Sequence, residues 1–362
     1  MVAVFRSLSS RVVFGKGALD GLAEEAAALA CKRLLVVCTG SQGPVAERAV
    51  ALLGQAGGPI FAGAAMHTPV EVTEKAMAVV EAERADGLVA IGGGSAIGLA
   101  KALSLRTNLP QIAVPTTYAG SEMTPVLGQT EAGRKTTQRT IRVMPETVIY
   151  DVDLSLSLPA PVSVTSGFNA IAHGVEALYA ESPNAMLLAI AEESVRLMAH
   201  ALPRIVAEPG DVAARSEALE AAWLAGWSLA NGGSGLHHRL CHLLGGAFGL
   251  PHADTHTVML PHILAYNTPE APDAVARLGR ALDASYPADA LYDLAQQLGA
   301  PTALKDLGLP RASIEPVAEA IAAAGGWNPR APDEAALKRV MHRAYNGERP
   351  RMEPGSTAQA KS

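Results

Sequence analysis

Histidines are concentrated in one short stretch of this chain. Six of the ten histidines lie between residues 237 and 262. On a helix, His238 and His242 are four residues apart and share a face. His252 follows a Gly-Leu-Pro break that would return the chain to the same place. Imidazole binds metals, holds charge and transfers protons near neutral pH. We therefore expect the chemistry of the protein to lie in this stretch.

A second pair of polar side chains has the same spacing much earlier in the chain. Asn169 and His173 are four residues apart in a segment with helical periodicity. Helical bundles build sites in their cores when facing helices present such pairs to one another. Ordinary histidines at helix ends are the alternative, and that interpretation would suit one isolated histidine. The density of histidines in this chain favours a functional site.

The composition indicates a large protein that does not bind nucleic acid. A chain of 362 residues, with 49% hydrophobic and 18% charged residues, can bury a large interior and suggests two domains. The net charge of -6 and the pI near 5.9 argue against a nucleic-acid partner, which needs a basic face. A local basic pocket for a small acid remains compatible with this balance.

Neither secretion nor a membrane is indicated. The first residues lack the uninterrupted apolar core of a secretion signal, and no apolar run reaches the roughly 18 residues of a membrane span. Cys31, Cys38 and Cys241 are odd in number and lack Cys-x-x-Cys spacing. They predict reduced thiols in a cytoplasmic protein.

The periodicity of the chain changes near residue 158. Before it, short β-rich runs alternate with alanine-rich helical stretches, which predicts an α/β domain with a parallel sheet and helices on both faces. Residues 159–348 have helical periodicity and predict an all-α domain for substrate and catalysis, and residues 349–362 have the composition of a loose tail. Strands are predicted at 12–14, 33–38, 87–91, 111–114 and 148–150. Helices are predicted near 17–30, 43–56, 70–84, 95–105, 165–181, 185–207, 211–230, 236–247, 255–266, 271–283, 287–299, 311–324 and 332–345.

Two loops follow predicted strands where such sheets bind ligands. Glycines 92–94 let the backbone approach a pyrophosphate, and the amides of the following helix face its charge. This loop matches neither standard nucleotide fingerprint, and a tight turn would also explain it. Residues 115–125 gather hydroxyls that could bind phosphate or ribose, or form a plain polar turn. Two such loops at neighbouring strand ends predict a nucleotide.

Four motifs occur in a distinctive order. They are Gly-Gly-Gly-Ser at 92–95, Pro-Thr-Thr-x-x-Gly-Ser-Glu at 115–122, Asn-Ala-x-Ala-His-x-x-Glu-Ala-Leu-Tyr at 169–179, and His-x-x-x-His at 238–242 with Pro-His ten residues on. This order resembles the iron-containing (group III) alcohol dehydrogenase superfamily. Within it the chain is most similar to the maleylacetate reductases, from residues 67–70, 94–101, 237–242 and 250–256. The resemblance implies an iron-containing alcohol dehydrogenase / dehydroquinate synthase-like fold, with a nicotinamide cofactor between the two domains.

The resemblance also assigns residues to the cofactor and to a metal. Ligands in metal-dependent relatives are an aspartate and three histidines, and they fall here on Asn169, His173, His238 and His252. An amide is a weak, uncharged ligand, and the maleylacetate reductases as a group work without metal. We therefore expect no metal. The family motifs place Gly92, Gly93, Gly94, Ser95, Thr116, Thr117 and Ser121 around the cofactor.

The exchange at position 169 suits the dicarboxylate substrate that the resemblance to the maleylacetate reductases implies. A carboxylate there would repel a dicarboxylate, whereas protonated histidines would attract it. The expected reaction is the reduction of the double bond of maleylacetate, with protonation of the adjacent carbon. The catalytic candidates are His238, His242, His173 and His252. The substrate-binding candidates are Asn169, His237, Arg239 and Tyr118.

The remaining expectations concern the choice of cofactor, the partners and the rival functions. After the strand that ends at Cys38 the chain has Thr39, where enzymes strict for NADH usually have a carboxylate. NADH and NADPH are therefore both expected to serve.

The resemblance implies a homodimer, and the partner is a small dicarboxylate rather than nucleic acid or a membrane. The alternatives are a metal-dependent dehydrogenase of small alcohols or aldehydes, a lyase of the dehydroquinate synthase type, and a metal-storage or sensor protein. The last would leave both nucleotide-type loops without a purpose.

Overall fold

A computed structural model describes residues 7–8, 10–131 and 134–353 of the chain, without the side chains of Arg134 and Lys135. The predicted tail lies outside the described residues from residue 354 onward, and so do residues 1–6 of the amino-terminal segment that lacks the apolar core of a secretion signal. The strands are β1 (Arg11–Gly15), β2 (Leu34–Cys38), β3 (Gly57–Phe61), β4 (Gly87–Gly92), β5 (Gln111–Pro115), β6 (Val126–Glu131), β7 (Arg134–Arg139) and β8 (Thr147–Asp151). The helices are α1 (Leu22–Ala28), α2 (Gly43–Leu53), α3 (Val70–Glu83), α4 (Gly94–Thr107), α5 (Val152–Ser155), α6 (Ala160–Leu178), α7 (Ala185–Ala207), α8 (Val212–Gly232), α9 (Leu236–Phe248), α10 (His252–Asn267), α11 (Pro272–Leu282), α12 (Pro287–Gln297), α13 (Ile314–Ala323) and α14 (Glu334–Asn346).

Six of the strands form one parallel sheet. Their order is β1-β8-β5-β4-β2-β3. The four inner strands are buried along their whole length, while β1 and β3 at the edges are only partly buried. Parallel strands that are buried on both faces require helices on both sides of the sheet. The sheet therefore confirms the predicted α/β architecture.

The two faces of the sheet belong to separate apolar clusters. Val36 of β2 packs in one cluster with Leu22 and Ala46, from the α1 and α2 side. Its neighbour Val37 packs in another with Ala76 of α3 and Ile97 of α4. Successive side chains of a strand point to opposite faces, so helices cover both sides of the sheet.

Two β elements are absent from the sequence prediction. The first is the edge strand β3, whose sequence Gly-Gly-Pro-Ile-Phe carries three residues that weaken a strand pattern. The second is the antiparallel hairpin of β6 and β7, which lies outside the main sheet. Its strands are rich in polar residues, so apolar alternation gives little sign of them.

The second half of the described chain is helical, as predicted. Helix α6 is buried from Ser163 to Leu178 and packs against α7, α8 and α10. A helix that is buried all round is a central element, and α6 forms the axis of this half. The division of the chain between residues 158 and 159 stays a prediction; α6 begins just after it.

The first residues of the predicted tail are held against the helical half. Glu353 is buried and forms ion pairs with Arg339 and Arg343 of α14. Arg349 pairs with Asp293 of α12. Residues 349–353 are thus anchored by charge, which their composition did not indicate. Among the described residues, no helix has the length and apolar character needed to cross a bilayer.

A buried arginine links the two halves. Arg215 of α8 is fully buried, and its Nη1 donates to the Tyr118 hydroxyl at 3.1 Å and to Ser163 Oγ at 2.7 Å. Its Nη2 donates to the Leu158 carbonyl at 2.9 Å, and its Nε donates to that of Pro209 at 3.0 Å. The guanidinium therefore ties the loop after β5 to the junction before α6.

Replacing Arg215 with methionine should destabilise the protein strongly. The exchange leaves several buried oxygen atoms without a donor, which should lower the free energy of unfolding by about 3–5 kcal/mol. Arg196→Met is the matched control, because its partner Glu193 is an exposed i,i+3 neighbour, and it should cost less than about 0.5 kcal/mol. Thermal and urea unfolding of both variants would measure this. Equal stability of the two variants would refute the structural role of Arg215.

Candidate active site

The predicted cofactor residues come together at the carboxyl ends of neighbouring strands. Strands β5, β4 and β2 are adjacent in the sheet, and they end before Thr116, Gly93 and Thr39, respectively. Parallel strands end at the same edge of a sheet, so these residues lie along one edge. This is where sheets of this kind bind their ligands.

The glycine loop leaves room for a ligand at the start of α4. Gly92 has φ of 141°, a conformation that favours glycine. A β-carbon at Gly93 would lie 2.8 Å from Thr117 Oγ1, whereas one at Gly94, the first residue of α4, would meet nothing within 4 Å. The amide of Thr116 donates to the Gly92 carbonyl at 3.1 Å. The two loops therefore touch one another and leave the helix amino terminus open to an anion.

Lys101 fixes the second loop, a role that the sequence did not indicate. Its buried Nζ donates to the carbonyls of Ser121 at 2.6 Å, Thr124 at 2.7 Å and Val126 at 3.0 Å, and to Thr124 Oγ1 at 3.0 Å. Burial lowers the pKa of Lys101 to about 7, although nearby Glu122 acts to raise it. Because Lys101 belongs to α4, it joins the helix of the first loop to the second loop.

The second loop also contacts α6. Nδ2 of Asn169 donates to the Ala119 carbonyl at 3.1 Å. A β-carbon at Gly120, which has φ of 73°, would lie 3.1 Å from Nδ1 of His173. Only glycine allows this approach without strain. The cofactor loop is therefore placed directly against the polar pair on α6.

A tight reversal brings the histidines of α9 and α10 together. Helix α9 ends at Phe248, and Gly249 follows it with φ of 67°, the left-handed conformation that commonly terminates a helix. Pro251 then precedes α10. The rings of His242 and His252 stack with centroids 5.7 Å apart, and those of His173 and His238 are 5.0 Å apart. The spacing predicted from sequence therefore produces one cluster from three helices.

Glu176 is a central residue that the sequence analysis did not select. It lies three residues after His173 on the same side of α6, and its Oε2 accepts a hydrogen bond from His238 Nδ1 at 2.6 Å. The carboxylate also accepts from the amides of Gly235 at 2.7 Å and His237 at 2.8 Å. Burial alone would raise the pKa of Glu176, but His238, His237 and the Gly235 amide lower it to about 2. An ionised Glu176 therefore orients His238.

His256 is a further member of the cluster outside the predicted set. Its ring centroid lies 4.8 Å from that of His238 and 4.4 Å from that of His252. Nδ1 of His256 is 2.9 Å from Nε2 of His237, a hydrogen bond between two imidazoles. The i,i+4 spacing between His252 and His256 is the feature of the sequence that could have indicated that His256 joins the cluster.

Burial opposes the expectation that the histidines carry protons. It lowers the pKa of His173 and His256 well below the usual value, and the pKa of His237 to about 3; neighbouring imidazoles add to each shift. These three side chains are therefore neutral at physiological pH. Neutral imidazoles offer lone pairs, which suit a cation better than a carboxylate.

Two predicted substrate residues are engaged elsewhere. Tyr118 is fully buried, with its hydroxyl bonded to Arg215, so it has no surface to offer a substrate. Nη1 of Arg239 donates to the Trp327 carbonyl at 3.0 Å. The predicted cofactor residue Thr39 lies just after β2, and its Oγ1 is 3.0 Å from Oγ of Ser41. The roles of the remaining predicted site residues stay predictions.

Two family models cover most of the chain. One, described as iron-containing alcohol dehydrogenase, matches residues 9–152. The other, described as the C-terminal part of the Fe-containing alcohol dehydrogenase family, matches residues 163–345. The chain belongs to the iron-containing alcohol dehydrogenase family. Its predicted fold and the resemblance seen in its motifs are thereby confirmed.

Relatives within this family match the chain over nearly its whole length. Maleylacetate reductase from Rhizobium sp. (strain MTP-10005) is 47% identical over 96% of this chain and 99% of its own. The crystal structure of that enzyme superposes with a TM-score of 0.91, at 46% identity over 96% of this chain and 99% of its own. A putative alcohol dehydrogenase from Ralstonia eutropha JMP134 superposes with a TM-score of 0.95, at 46% identity over 97% of this chain and 99% of its own.

The family assignment corrects the expectation that no metal is used. Both matching models describe iron-containing proteins, so that expectation is wrong, and iron has to be included among the cofactors. The residues fit such an ion, because Oδ1 of Asn169, Nδ1 of His173 and Nε2 of His238 are buried and find no hydrogen-bond partner in the part of the chain that the structure describes. The amide oxygen at position 169 is uncharged but still a donor to a metal. The error lay in treating the missing carboxylate as decisive.

Proposed function

We propose that this chain reduces the carbon-carbon double bond of maleylacetate with NADH or NADPH and yields 3-oxoadipate, a step in the breakdown of aromatic compounds. The observation that carries the proposal is an uncharged Asn169 in the histidine cluster, beside the cofactor loop. The chain that provides this site is 47% identical to a maleylacetate reductase along 96% of its length. A neutral amide at this position admits a dicarboxylate that aspartate would repel.

Four residues would hold the iron of this family. They are Asn169, His173, His238 and His252, three of which are buried. A divalent cation held by them would supply Lewis-acid polarisation of a substrate oxygen. Glu176 keeps the proton of His238 on Nδ1, because an ionised carboxylate can only accept a hydrogen bond. Nε2 of His238 therefore presents a lone pair toward the site.

His242 is the best placed proton donor. A reduced nicotinamide supplies the hydride, and a proton must then reach the carbon next to the carbonyl group. As a ligand of the iron through Nε2, His238 would have no proton to donate from that atom, because its other ring nitrogen is bonded to Glu176. His242 is partly exposed, unlike His173, His237 and His256, and its ring stacks on His252. We therefore assign protonation of the carbon to His242.

The test of this function is oxidation of NADH that depends on maleylacetate. The purified chain should consume NADH when maleylacetate is added and should show far lower kcat/KM with short aldehydes or alcohols. Turnover of a small alcohol or aldehyde in preference to maleylacetate would support the rival dehydrogenase function instead. Product formation without any net loss of NADH would support a lyase.

Both nicotinamide cofactors should serve this chain. The position after β2 is Thr39, followed by Gly40 and Ser41, so no carboxylate there repels a phosphate on the ribose. We expect kcat/KM for NADH and NADPH to agree within about tenfold, a difference of about 1.4 kcal/mol. Steady-state kinetics at saturating maleylacetate would measure this. A preference of several hundredfold for NADH would contradict it.

Replacing Asn169 with aspartate should weaken binding of the substrate and strengthen binding of iron. Two unit charges about 5 Å apart repel by about 3 kcal/mol at an effective dielectric constant of 20, so KM for maleylacetate should rise by about tenfold or more. The affinity for Fe²⁺ should increase, because a carboxylate is a stronger ligand than an amide. Kinetics and Fe²⁺ titration would measure the two effects. The exchange Asn184→Asp, at the amino cap of α7, is the control and should alter neither.

We further propose that the protein acts in the cytoplasm as a homodimer, without nucleic acid or a membrane as partner. All three cysteines are buried and unpaired, which suits a reducing compartment. The dimer rests on the resemblance to the family alone. Light scattering of the purified protein would test it, and a monomeric mass would refute it.

A further inference from the structure

Three soft or borderline metal ligands meet within the buried part of the histidine cluster. They are His237 and Cys241 of α9 and His256 of α10, and each has one donor atom within 4.8 Å of those of the other two. All three side chains are fully buried. None of them belongs to the set that fits the iron of the family.

We propose that His237, Cys241 and His256 form a second cation site, selective for a thiophilic divalent ion such as Zn²⁺. Two imidazoles and a thiolate are ligands that zinc prefers, whereas they are poor partners for Mg²⁺ or Ca²⁺. The proposal concerns binding alone and does not depend on the proposed reductase activity.

Two of the three distances between donor atoms are close to those around a tetrahedral ion. Bonds of about 2.0 Å to nitrogen and 2.3 Å to sulfur place neighbouring ligands about 3.3–3.6 Å apart. Nε2 of His237 lies 2.9 Å from Nδ1 of His256 and 3.8 Å from Sγ of Cys241. For these two pairs, shifts of a few tenths of an ångström would reach the tetrahedral spacing, and the donor atoms of Cys241 and His256 lie within 4.8 Å of one another. The i,i+4 spacing of His237 and Cys241 on α9 holds two of the donors on one face.

Binding requires two protons to move. The proton between His237 Nε2 and His256 Nδ1 must leave that position, because both of these atoms have to offer a lone pair to the ion. Each neutral imidazole then carries its single proton on its other ring nitrogen, Nδ1 of His237 and Nε2 of His256. The thiol of Cys241 must release its proton to solvent, because the thiolate is the ligand. A divalent ion with one thiolate leaves a charge of +1. The ionised Glu176, whose carboxylate accepts from the His237 amide, offsets this charge.

Cobalt provides the test, because a Co²⁺ ion bonded to a thiolate has a charge-transfer band in the near ultraviolet. Co²⁺ would be titrated into the full-length protein. The wild type should develop this band, saturating at one thiolate-bound ion per chain, and Zn²⁺ should bleach it. Cys241→Ala and Cys241→Ser should both lack the band. Cys38→Ala, at a buried cysteine in β2, should retain it. Co²⁺ held by the family's iron ligands gives no such band, because that set has no sulfur.

Two further results complete the test. His256→Gln should keep the thiol but weaken Co²⁺ binding by at least about tenfold. No band in the wild type, or a band that survives in both Cys241 variants, would overturn the proposal. Folding of each variant is checked by circular dichroism. The serine variant provides the comparison if the alanine variant fails to fold.

Discussion

Replacing His242 with glutamine should lower kcat by about 10²- to 10⁴-fold, the range that loss of a general acid produces. The proposal assigns protonation of carbon to this side chain, which is partly exposed and stacks on His252 at 5.7 Å. Glutamine keeps the size and polarity of histidine but cannot deliver a proton. KM for NADH should change little, because the proposal places His242 at the substrate carbon and not at the cofactor.

Isotope effects distinguish the loss of a proton donor in His242→Gln from a purely structural defect. Once protonation becomes the slow step, the solvent isotope effect should rise and the isotope effect from deuterated NADH should shrink. The control is His200→Gln, at an exposed histidine of α7 whose Nδ1 lies 2.6 Å from Glu217, and it should leave kcat unchanged. Turnover of His242→Gln within threefold of the wild type would remove His242 from the mechanism.

The second large effect is expected at Glu176. Glu176→Gln should lower both the affinity for Fe²⁺ and kcat/KM by about 10- to 100-fold, the usual cost of losing the partner that orients a metal ligand. The carboxylate accepts hydrogen bonds from His238 Nδ1 and from two amides. The amide nitrogen of glutamine is itself a donor and cannot accept a hydrogen bond from any of these groups. His238 would therefore lose its fixed tautomer and orientation.

Metal binding and activity must both be measured for Glu176→Gln. Fe²⁺ affinity is obtained by titration, and kcat/KM by NADH oxidation with maleylacetate. Glu193→Gln is the matched control, because Glu193 is exposed and pairs only with its helix neighbour Arg196 among the contacts described here, and neither quantity should change. A variant with native Fe²⁺ affinity and native kcat/KM would show that Glu176 does not orient the site.

Periodicity predicted most of the fold because burial follows it closely. Helix α7 begins and ends at the predicted residues, since Asn184 caps its start and apolar residues recur on one face. The inner strands were found because they are apolar along their whole length. Strand β3 was not, because Gly57, Gly58 and Pro59 have low strand propensity and the strand forms through pairing with β2.

The site was predicted in part because its spacing is local. His238, His242 and His252 are placed by one helix and one turn, so their convergence follows from sequence. Glu176 was missed because its hydrogen-bond partners come from the start of another helix, α9. A glutamate in a helix is usually exposed, and nothing local indicates that it accepts hydrogen bonds from the start of another helix. The neutrality of the histidines likewise follows from tertiary burial.

The position of deuterium in the product tests the central claim most directly. The purified chain would be given maleylacetate and NADH that carries deuterium at the transferred position, and the product would be analysed by NMR. Reduction of the conjugated double bond predicts 3-oxoadipate with deuterium on C5 and a proton from solvent on C4. Deuterium on an alcohol carbon, or no oxidation of NADH when maleylacetate is added, would contradict the account.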